Sequence, residues 1–322
     1  MARVQAIQAR RRAKLEARTE RVLEGAEGDL REGRVITRHG RNLSVRGEDG
    51  RLYHCLGRQH LGDPVCGDRV VWQPTGTGEG VVVALLERAN VLARPDHSGR
   101  ERPLAANIGH LAVVLAVAPP PVLGLLDQYL VAAETLGIEA LVVLNKIDLA
   151  PDPAAFRDAF APYRRIGYPL FPVSARAGTG LAELRGRLRQ GPGILVGQSG
   201  VGKSSLIQAL LPDMEIQIQR ISAATGQGCH TTSAATWYDL PGGGALIDAP
   251  GVRSFRLGRL GFRELEYGFR DIRPYAGHCR FGDCRHRDEP GCAVKAAVEA
   301  GGIDRGRYRS FLRLLNEAEE QR

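Results

Sequence analysis

The stretch Gly197-Gln198-Ser199-Gly200-Val201-Gly202-Lys203-Ser204 matches the pattern G-x-x-x-x-G-K-S. An apolar run over residues 193–196 precedes it, and a helical pattern over residues 203–211 follows it, ending at Pro212. A strand, a glycine-rich loop and a helix in this order predict a phosphate-binding loop. Its glycines let backbone N–H groups approach phosphates, and the helix N-terminus adds a favourable dipole. We expect the whole loop and the following Ser205 to bind nucleotide, with Lys203 on the β- and γ-phosphates and Ser204 on Mg²⁺.

A second motif, Asn145-Lys146-Ile147-Asp148, follows an apolar run over residues 140–144. The Asp148 carboxylate can accept hydrogen bonds from the N1–H and the exocyclic amine of guanine, a donor pair that adenine lacks. We expect Lys146 to lie along the base and Asn145 to tie this loop to the phosphate loop. Ser174-Ala175 follows the next predicted strand and is typical of a second guanine loop, where a backbone N–H meets O6.

The sequence Asp248-Ala249-Pro250-Gly251 ends a strand pattern and fits D-x-x-G. Asp248 would hold Mg²⁺ through water, and the Gly251 N–H would sense the γ-phosphate. Thr231 and Thr232 lie between the phosphate loop and this motif, and either can be the switch threonine; we favour Thr232 as the Mg²⁺ ligand. The base loops thus precede the phosphate loop, so the order of motifs predicts a circularly permuted GTPase.

The group that positions the attacking water is not obvious. Ras-like enzymes use a Gln directly after D-x-x-G, and this chain has Val252 there, which can neither donate nor accept a hydrogen bond. His230, beside the switch threonines, is the best internal candidate to orient water or to act as a base. Arg253 is an alternative source of positive charge.

Near the C-terminus, Cys279, Cys284, His286 and Cys292 form the pattern C-x₄-C-x-H-x₅-C. Three thiolates and an imidazole suit one tetrahedral, structural Zn²⁺, with no position left for a catalytic water. Clustered cysteines in a cytosolic chain are more often metal ligands than disulfides.

Composition restricts the remaining possibilities. The chain has 322 residues, a net charge of +8 and a pI of about 9.4, so a polyanionic partner such as RNA is favoured, although a basic solvated surface would give the same charge. Pro119-Pro120-Pro121 interrupts the longest apolar stretch, and no apolar segment follows the basic N-terminus. We therefore expect a cytoplasmic protein with neither a membrane helix nor a secretory signal.

The predicted fold is multi-domain α/β. Five short strand patterns separated by Gly, Asp and Pro turns predict a β-barrel of the OB-fold type, in which Tyr53 and Trp72 either pack in the core or stack on bases. Residues 90–107 have the composition of a linker. The predicted domains are a basic arm (1–28), an OB-fold barrel (29–92), a permuted GTPase domain (93–257) and a helical zinc-binding domain (258–322).

Taken together, the chain resembles the bacterial small ribosomal subunit biogenesis GTPase family RsgA, also called YjeQ. The most specific matches are residues 126–130 (LDQYL), residues 228–232 (GCHTT) and the Cys279 to Cys292 cluster with its following Ala-Val-Lys. The resemblance implies a monomeric GTP- and GDP-binding protein that joins the 30S subunit and its 16S rRNA late in assembly and checks the decoding region. Ribosome-stimulated hydrolysis of GTP would then release it. The family is also described with a hydrophobic residue in place of the catalytic Gln and with a switch I histidine, here His230.

Three other interpretations remain open from the sequence. The chain could be a permuted GTPase of the large subunit, a metal-handling GTPase, or a nucleotide-gated RNA-binding module with negligible catalysis. Permutation places the Asp248 motif directly before the zinc domain, so we also expect loss of the γ-phosphate to act on that domain through a short covalent link.

Overall fold

The computed structural model describes residues 29–58, 61–95, 101–225, 234–249 and 260–320. The predicted basic arm at residues 1–28 lies outside these ranges. The chain divides into two compact units: Met1–Gly109, Leu188–Ile194 and Leu210–Val252 form the first, and His110–Arg187, Leu195–Ala209 and Arg253–Arg322 form the second.

Thirteen strands are found in the described ranges. In chain order they are β1 (Arg31–His39), β2 (Asn42–Gly47), β3 (Leu52–Gly57), β4 (Arg69–Gly76), β5 (Glu79–Leu85), β6 (Val91–Pro95), β7 (Glu101–Ala106), β8 (His110–Ala116), β9 (Glu139–Asn145), β10 (Leu170–Pro172), β11 (Pro192–Val196), β12 (Thr236–Asp239) and β13 (Ala245–Asp248).

Ten α-helices are found in the same ranges. They are α1 (Leu123–Leu136), α2 (Pro153–Asp158), α3 (Ala161–Arg165), α4 (Leu181–Leu188), α5 (Lys203–Leu210), α6 (Met214–Thr225), α7 (Phe262–Gly268), α8 (Arg273–Ala276), α9 (Ala293–Glu299) and α10 (Arg305–Glu320). None of the helices in the described part of the chain has both the length and the apolar character needed to cross a membrane.

The first unit contains the predicted five-stranded barrel. Strands β1 to β5 close on themselves because β1 pairs with both β2 and β4, while β3 and β5 run parallel. This is the strand arrangement of an OB-fold. Trp72 is fully buried in the barrel core and donates from Nε1 to the Glu32 carbonyl at 3.2 Å, so it is a core residue and not a base-stacking one. Tyr53 packs on it, with ring centroids 4.4 Å apart.

The linker prediction for residues 90–107 is wrong. Strands β6 and β7 form an antiparallel hairpin in which Val91 pairs with Ala106. Leu92, Ala105 and Ala106 are fully buried, and the Ala106 N–H donates to the Cys66 carbonyl at 2.9 Å. Buried apolar residues therefore hold these two strands in place despite the prolines and charges of the segment.

In the same unit the last two strands continue the sheet of the barrel. Strand β12 is antiparallel to β13 and meets β1 at the pair Thr37–Thr236, and β13 runs parallel to the first residues of β11. The Arg46 guanidinium also donates to the Asp239 carboxylate at 2.6 Å. Strand β12, and β13 beside it, therefore extend the sheet from β1.

The second unit contains a parallel sheet covered by helices. Strand β9 runs parallel to both β8 and β10, and all residues of β8 are buried. Continuous apolar strands are expected where helices cover both faces of a sheet. Helix α1 packs on β8 and β9 with its buried Leu126, Tyr129 and Leu130.

The helices that follow residue 260 form their own apolar cluster in this unit. Phe262, Phe269 and Phe311 are buried there together, with edge-on ring contacts between Phe311 and each of the other two. Buried Cys284 and Cys292 line the same cluster. The expected architecture is thus confirmed: a five-stranded barrel, a permuted α/β domain and a C-terminal helical region around a Cys/His cluster.

Candidate functional site

The predicted nucleotide loops of the second unit all lie where parallel strands end. The 145–148 loop follows β9, Ser174 follows β10 by two residues, and the phosphate loop follows β11. The carboxyl ends of parallel strands meet at one edge of a sheet, which is where open α/β folds bind their ligands. Loops far apart in the chain therefore become neighbours.

The backbone of the phosphate loop requires its glycines. Gly197, Gly200 and Gly202 have φ of 137°, 82° and 91°, a region that side chains disfavour. A Cβ on Gly197 would lie 2.3 Å from the Val114 carbonyl oxygen, and one on Gly202 would lie 2.5 Å from Asn145 Nδ2. The loop thus passes too close to β8 and to the base loop for any side chain at these positions.

Helix α5 begins at Lys203, so its N-terminus faces the loop. Lys203 Nζ lies 2.7 Å from the carbonyl oxygens of both Gly197 and Gln198, which holds the ammonium over the loop. Ser204 and Ser205 are exposed in the first turn of the helix. This geometry presents a cation, hydroxyl groups and the positive end of a helix dipole on one side of the loop.

Asn145 connects three loops. Its Nδ2 donates to the Val201 carbonyl at 2.8 Å, and its Oδ1 accepts from the Ala175 N–H at 3.2 Å. Asn145 is 1% exposed, so these bonds are shielded from water. The Ser174 Oγ accepts from the Ala177 N–H at 3.0 Å and shapes the second base loop.

Lys146 also links the base loop to other loops of the site. It has a left-handed backbone, with φ of 59°, and its Nζ donates to the Ala118 and Gly200 carbonyls, each at 2.7 Å. Asp148 stands exposed in the short 3₁₀ turn Ile147–Leu149, open to a ligand.

Sequence reasoning missed the loop between β8 and α1 as part of this site. Besides the bond from Lys146 to Ala118, the Gln198 Nε2 donates to the Pro120 carbonyl at 3.3 Å. The prolines of this loop were interpreted only as a break in an apolar stretch, and backbone carbonyls give no signal in a sequence.

The predicted switch residues are only partly described. Asp248 ends β13 opposite Thr236 of β12 and is half-buried. Burial raises the pKa of the nearby Tyr238 to about 12, and the Asp248 charge adds to this shift. His230, Thr231, Thr232 and Gly251 lie outside the described residues.

The candidate metal centre brings together all four predicted ligands. The ligand atoms of Cys279, Cys284, His286 and Cys292 lie within 4.8 Å of one another. His286 Nδ1 is 3.5 Å from each of the three Sγ atoms, and Cys279 Sγ is 3.9 Å from Cys292 Sγ. Tetrahedral zinc with Zn–S of about 2.3 Å and Zn–N of about 2.0 Å requires S–N and S–S separations of about 3.5 and 3.8 Å. The donor set therefore fits one zinc ion.

Neighbouring groups hold these ligands in place. His286 Nε2 lies 3.4 Å from Glu266 Oε2, which fixes Nδ1 as the metal-facing nitrogen. The Glu289 carboxylate accepts from the Arg285 and Arg287 N–H groups at 2.7 and 2.8 Å, and the Tyr308 hydroxyl donates to the His286 carbonyl. Hydrogen bonds from the surrounding residues therefore hold the ligand segment in place.

A buried ion network next to α1 also escaped the sequence analysis. The Arg307 guanidinium is 1% exposed and donates to Asp127 at 2.7 Å and to Asp271 at 2.7 and 3.0 Å. Burial raises the pKa of Asp127, while Arg307 lowers it. Burial lowers the pKa of Arg307, but hydrogen bonds and the charges of the two carboxylates together outweigh it and raise that pKa. The only signal was Asp127 in a mostly apolar stretch, and nothing in the sequence identified Arg307 as its partner.

Comparisons with known proteins agree with this geometry. Residues 85–258 match the family model of the RsgA GTPase. The small ribosomal subunit biogenesis GTPase RsgA of Chromohalobacter salexigens is 48% identical, covering 91% of this chain and 87% of its own. The protein of the same name from Azotobacter vinelandii is 45% identical, with 97% and 93% covered.

Two solved structures are similar over nearly the whole chain. YjeQ from Thermotoga maritima is 31% identical with a TM-score of 0.76, covering 91% of this chain and 100% of that one. YloQ, described as a circularly permuted GTPase, is 29% identical with a TM-score of 0.75, covering 92% and 98%. A phosphate loop tied by Asn145 to a base loop that precedes it in the chain agrees with these relatives, and the protein belongs to the RsgA family of small ribosomal subunit biogenesis GTPases.

Proposed function

We propose that the loops of the second unit bind GTP with the roles expected from the sequence. Gly197 to Ser205 would hold the phosphates, with Lys203 on the β- and γ-phosphates. Asp148 would select guanine, and the loop at Ser174-Ala175 would approach O6. The observation that carries the proposal is the bonding of Asn145 to both Val201 and Ala175, which brings the phosphate loop and the two base loops into one site.

GTP would bring Mg²⁺ with it. The exposed hydroxyl of Ser204 and the carboxylate of Asp248 are oxygen ligands of the kind that Mg²⁺ prefers. We also propose Thr232 as a ligand of the ion and the Gly251 N–H as a contact of the γ-phosphate. The ion would neutralise charge on the phosphates as the terminal bond breaks.

For the hydrolytic step, His230 is proposed to orient the attacking water, because Val252 cannot. His230→Ala should lower GTP turnover by about 10²–10⁴-fold with little loss of GTP affinity. His39→Ala, on β1 of the barrel, is the matched control and should leave turnover unchanged. Unchanged turnover in the His230 variant would eliminate this role.

The macromolecular partner is proposed to be the 30S subunit late in its assembly, contacted at 16S rRNA near the decoding region. The names of the relatives and the net charge of +8 support this choice. Arg280, Arg285 and Arg287 surround the metal centre, and Arg280 lies 5.4 Å from the ring of the exposed Phe281. The exposed Arg280 guanidinium beside this ring suits phosphates and unpaired bases. Arg285 and Arg287 are half-buried and lie 3.9 and 2.8 Å from the Glu319 carboxylate.

Hydrolysis stimulated by the ribosome would release the protein. A role in ribosome assembly implies a cytoplasmic location, and the protein is expected to act as a monomer.

The decisive experiment measures GTP turnover with purified 30S subunits, with purified 50S subunits and with neither. Stimulation by 30S alone supports the proposal. Stimulation by 50S alone would indicate that the protein acts in large-subunit assembly. The absence of stimulation by either subunit would eliminate the ribosomal role.

A further inference from the structure

One face of helix α1 is occupied along its length by the C-terminal helices. Gly124, Asp127, Val131 and Glu134 share this face because they are spaced three, four and three residues apart. Each contacts a residue from beyond position 260, and Asp127 lies at the centre of the contact with the deeply buried Arg307.

The contacts between α1 and the C-terminal helices are close at the start, the middle and the end of α1. At the start of α1, the Arg313 guanidinium donates to the Gly124 carbonyl at 2.9 Å. In the middle, a Cβ on Gly268 would lie 2.5 Å from Val131, so α7 approaches α1 as closely as a glycine allows. At the end, Arg270 Nε lies 2.6 Å from Glu134.

The ion pair between Arg307 and Asp127, at the centre of this face, is the contact that is hardest to replace. Arg307 donates to Asp127 and, through two nitrogens, to Asp271, and the Tyr163 hydroxyl donates to Asp127 at 2.9 Å. The Arg307 guanidinium thus holds one carboxylate from α1 and one from the segment before α8. Buried charges with this number of partners are fixed in position, since any displacement leaves a charge unpaired in a low-dielectric interior.

The opposite flank and the N-terminal end of α1 contact the nucleotide loops. The carbonyls of Ala118 and Pro120, just before the helix, accept from Lys146 and Gln198. Inside the helix, burial raises the pKa of Tyr129, and the nearby Gly197 backbone lowers it. A shift of α1 would therefore move acceptors that locate both the base loop and the phosphate loop.

We propose that Arg307 is a positioning residue for guanine nucleotide binding: by holding α1 at Asp127, it fixes the Ala118 and Pro120 carbonyls that place Lys146 and Gln198. This inference rests on the nucleotide site proposed above. It adds a second route between nucleotide and C-terminal helices, independent of the covalent link after Asp248. Because coupling between sites is reciprocal, tight nucleotide binding also favours docking of these helices on α1.

The test compares nucleotide retention in variants that remain folded. Arg307→Ala leaves two buried carboxylates unpaired and can unfold the protein, so Arg307→Met is combined with Asp127→Asn and Asp271→Asn, which removes the charges together. The release rate of a fluorescent GDP analogue is measured, with bound zinc as the check that the C-terminal helices are folded. We expect release to be about tenfold faster with zinc fully retained.

Steady-state kinetics separate positioning from simple destabilisation. Loss of ground-state positioning should raise KM for GTP about tenfold while kcat is preserved. A purely structural role would reduce the active fraction, so kcat would fall with KM unchanged. The matched control is Arg270→Met, which removes a contact at the far end of α1 and should leave both constants unchanged.

Two results would overturn the inference: normal GDP release in the folded triple variant, or equally fast release in the Arg270 variant. Lys203→Ala separates this failure from a failure of the site itself. If Lys203→Ala retains GDP, the proposed nucleotide site is wrong. If it loses GDP while the triple variant releases GDP normally, only the role of Arg307 is wrong.

Discussion

The side-chain amide of Asn145 donates to the main-chain carbonyl of Val201 across 56 positions of the chain, at 2.8 Å. The base loop precedes the phosphate loop in the sequence, but the contact requires only that both loops end strands on either side of β8 in one sheet. Chain order can therefore be permuted without changing the site, since the geometry belongs to the sheet edge and not to the connectivity.

Asn145→Ala should weaken GTP binding by about 10- to 100-fold, because two buried hydrogen bonds worth about 0.5–1.5 kcal/mol each are lost. The bonds are those to Val201 and from Ala175. Equilibrium titration with a fluorescent GTP analogue measures the effect. Asn316→Ala, an exposed asparagine on α10, is the control and should bind normally. Equal affinities in the two variants would show that the loops do not depend on Asn145.

Asp148→Asn should shift the base preference from guanine towards xanthine. The amide can donate a hydrogen bond where the carboxylate only accepts, which matches the oxygen that xanthine carries in place of the guanine amine. Competition between GTP and xanthosine triphosphate for the same site measures the preference. Asp152→Asn, at the N-cap of α2, is the control. Retained GTP preference in the Asp148 variant would mean that the base site lies elsewhere.

Sequence patterns predicted the elements whose chemistry is local. The strand–loop–helix around Lys203, the five barrel strands and the Cys279 to Cys292 cluster all depend on residues that are close in the chain. The fold class was confirmed for this reason. The roles of the nucleotide residues stay predictions, since no bound ligand tests them.

The features that sequence reasoning missed all depend on distant partners. Asp127 and Arg307 are 180 positions apart, and a buried arginine in a polar helix has the same pattern as an exposed one. The β6–β7 hairpin was missed because its prolines and charges mask the few apolar residues that pack. The Ala118 carbonyl has no side-chain signal at all.

Gly197→Ala should abolish nucleotide binding and reduce stability. The new methyl group would lie 2.3 Å from the Val114 carbonyl oxygen at a φ of 137°, so the loop must move away from β8. GDP binding and thermal unfolding measure the two effects. Gly186→Ala in α4 is the control, because a Cβ there has no neighbour within 4 Å. That variant should gain about 0.5–1 kcal/mol of stability. Normal GDP binding by Gly197→Ala would contradict the predicted loop geometry.

Cys284→Ser should remove zinc and loosen the C-terminal helices. Cys284 is 3% exposed and lies among the residues that pack around Phe311, so loss of the ion also disturbs this apolar cluster. Zinc content and hydrogen exchange of α9 and α10 measure the change, and a chelator should reproduce it in the unmodified protein. Cys55→Ser, a buried thiol in the barrel, should retain zinc. Full zinc content in the Cys284 variant would exclude that residue as a ligand.

His110, at the start of β8, should make stability fall as the pH falls. Its buried Nδ1 lies 3.0 Å from Glu139, which also pairs with Arg187. Burial lowers the pKa of His110 below 6.5; Glu139 raises it, and Arg187 lowers it. The unfolded chain therefore takes up the proton first, and the stabilisation present above pH 6.5 is lost as the pH falls through the folded-state pKa. In urea unfolding, His110→Gln should flatten this profile, and Arg187→Met should weaken it, because the pKa of His110 then rises. A His110→Gln profile parallel to that of the unmodified protein would assign the acid sensitivity to other groups.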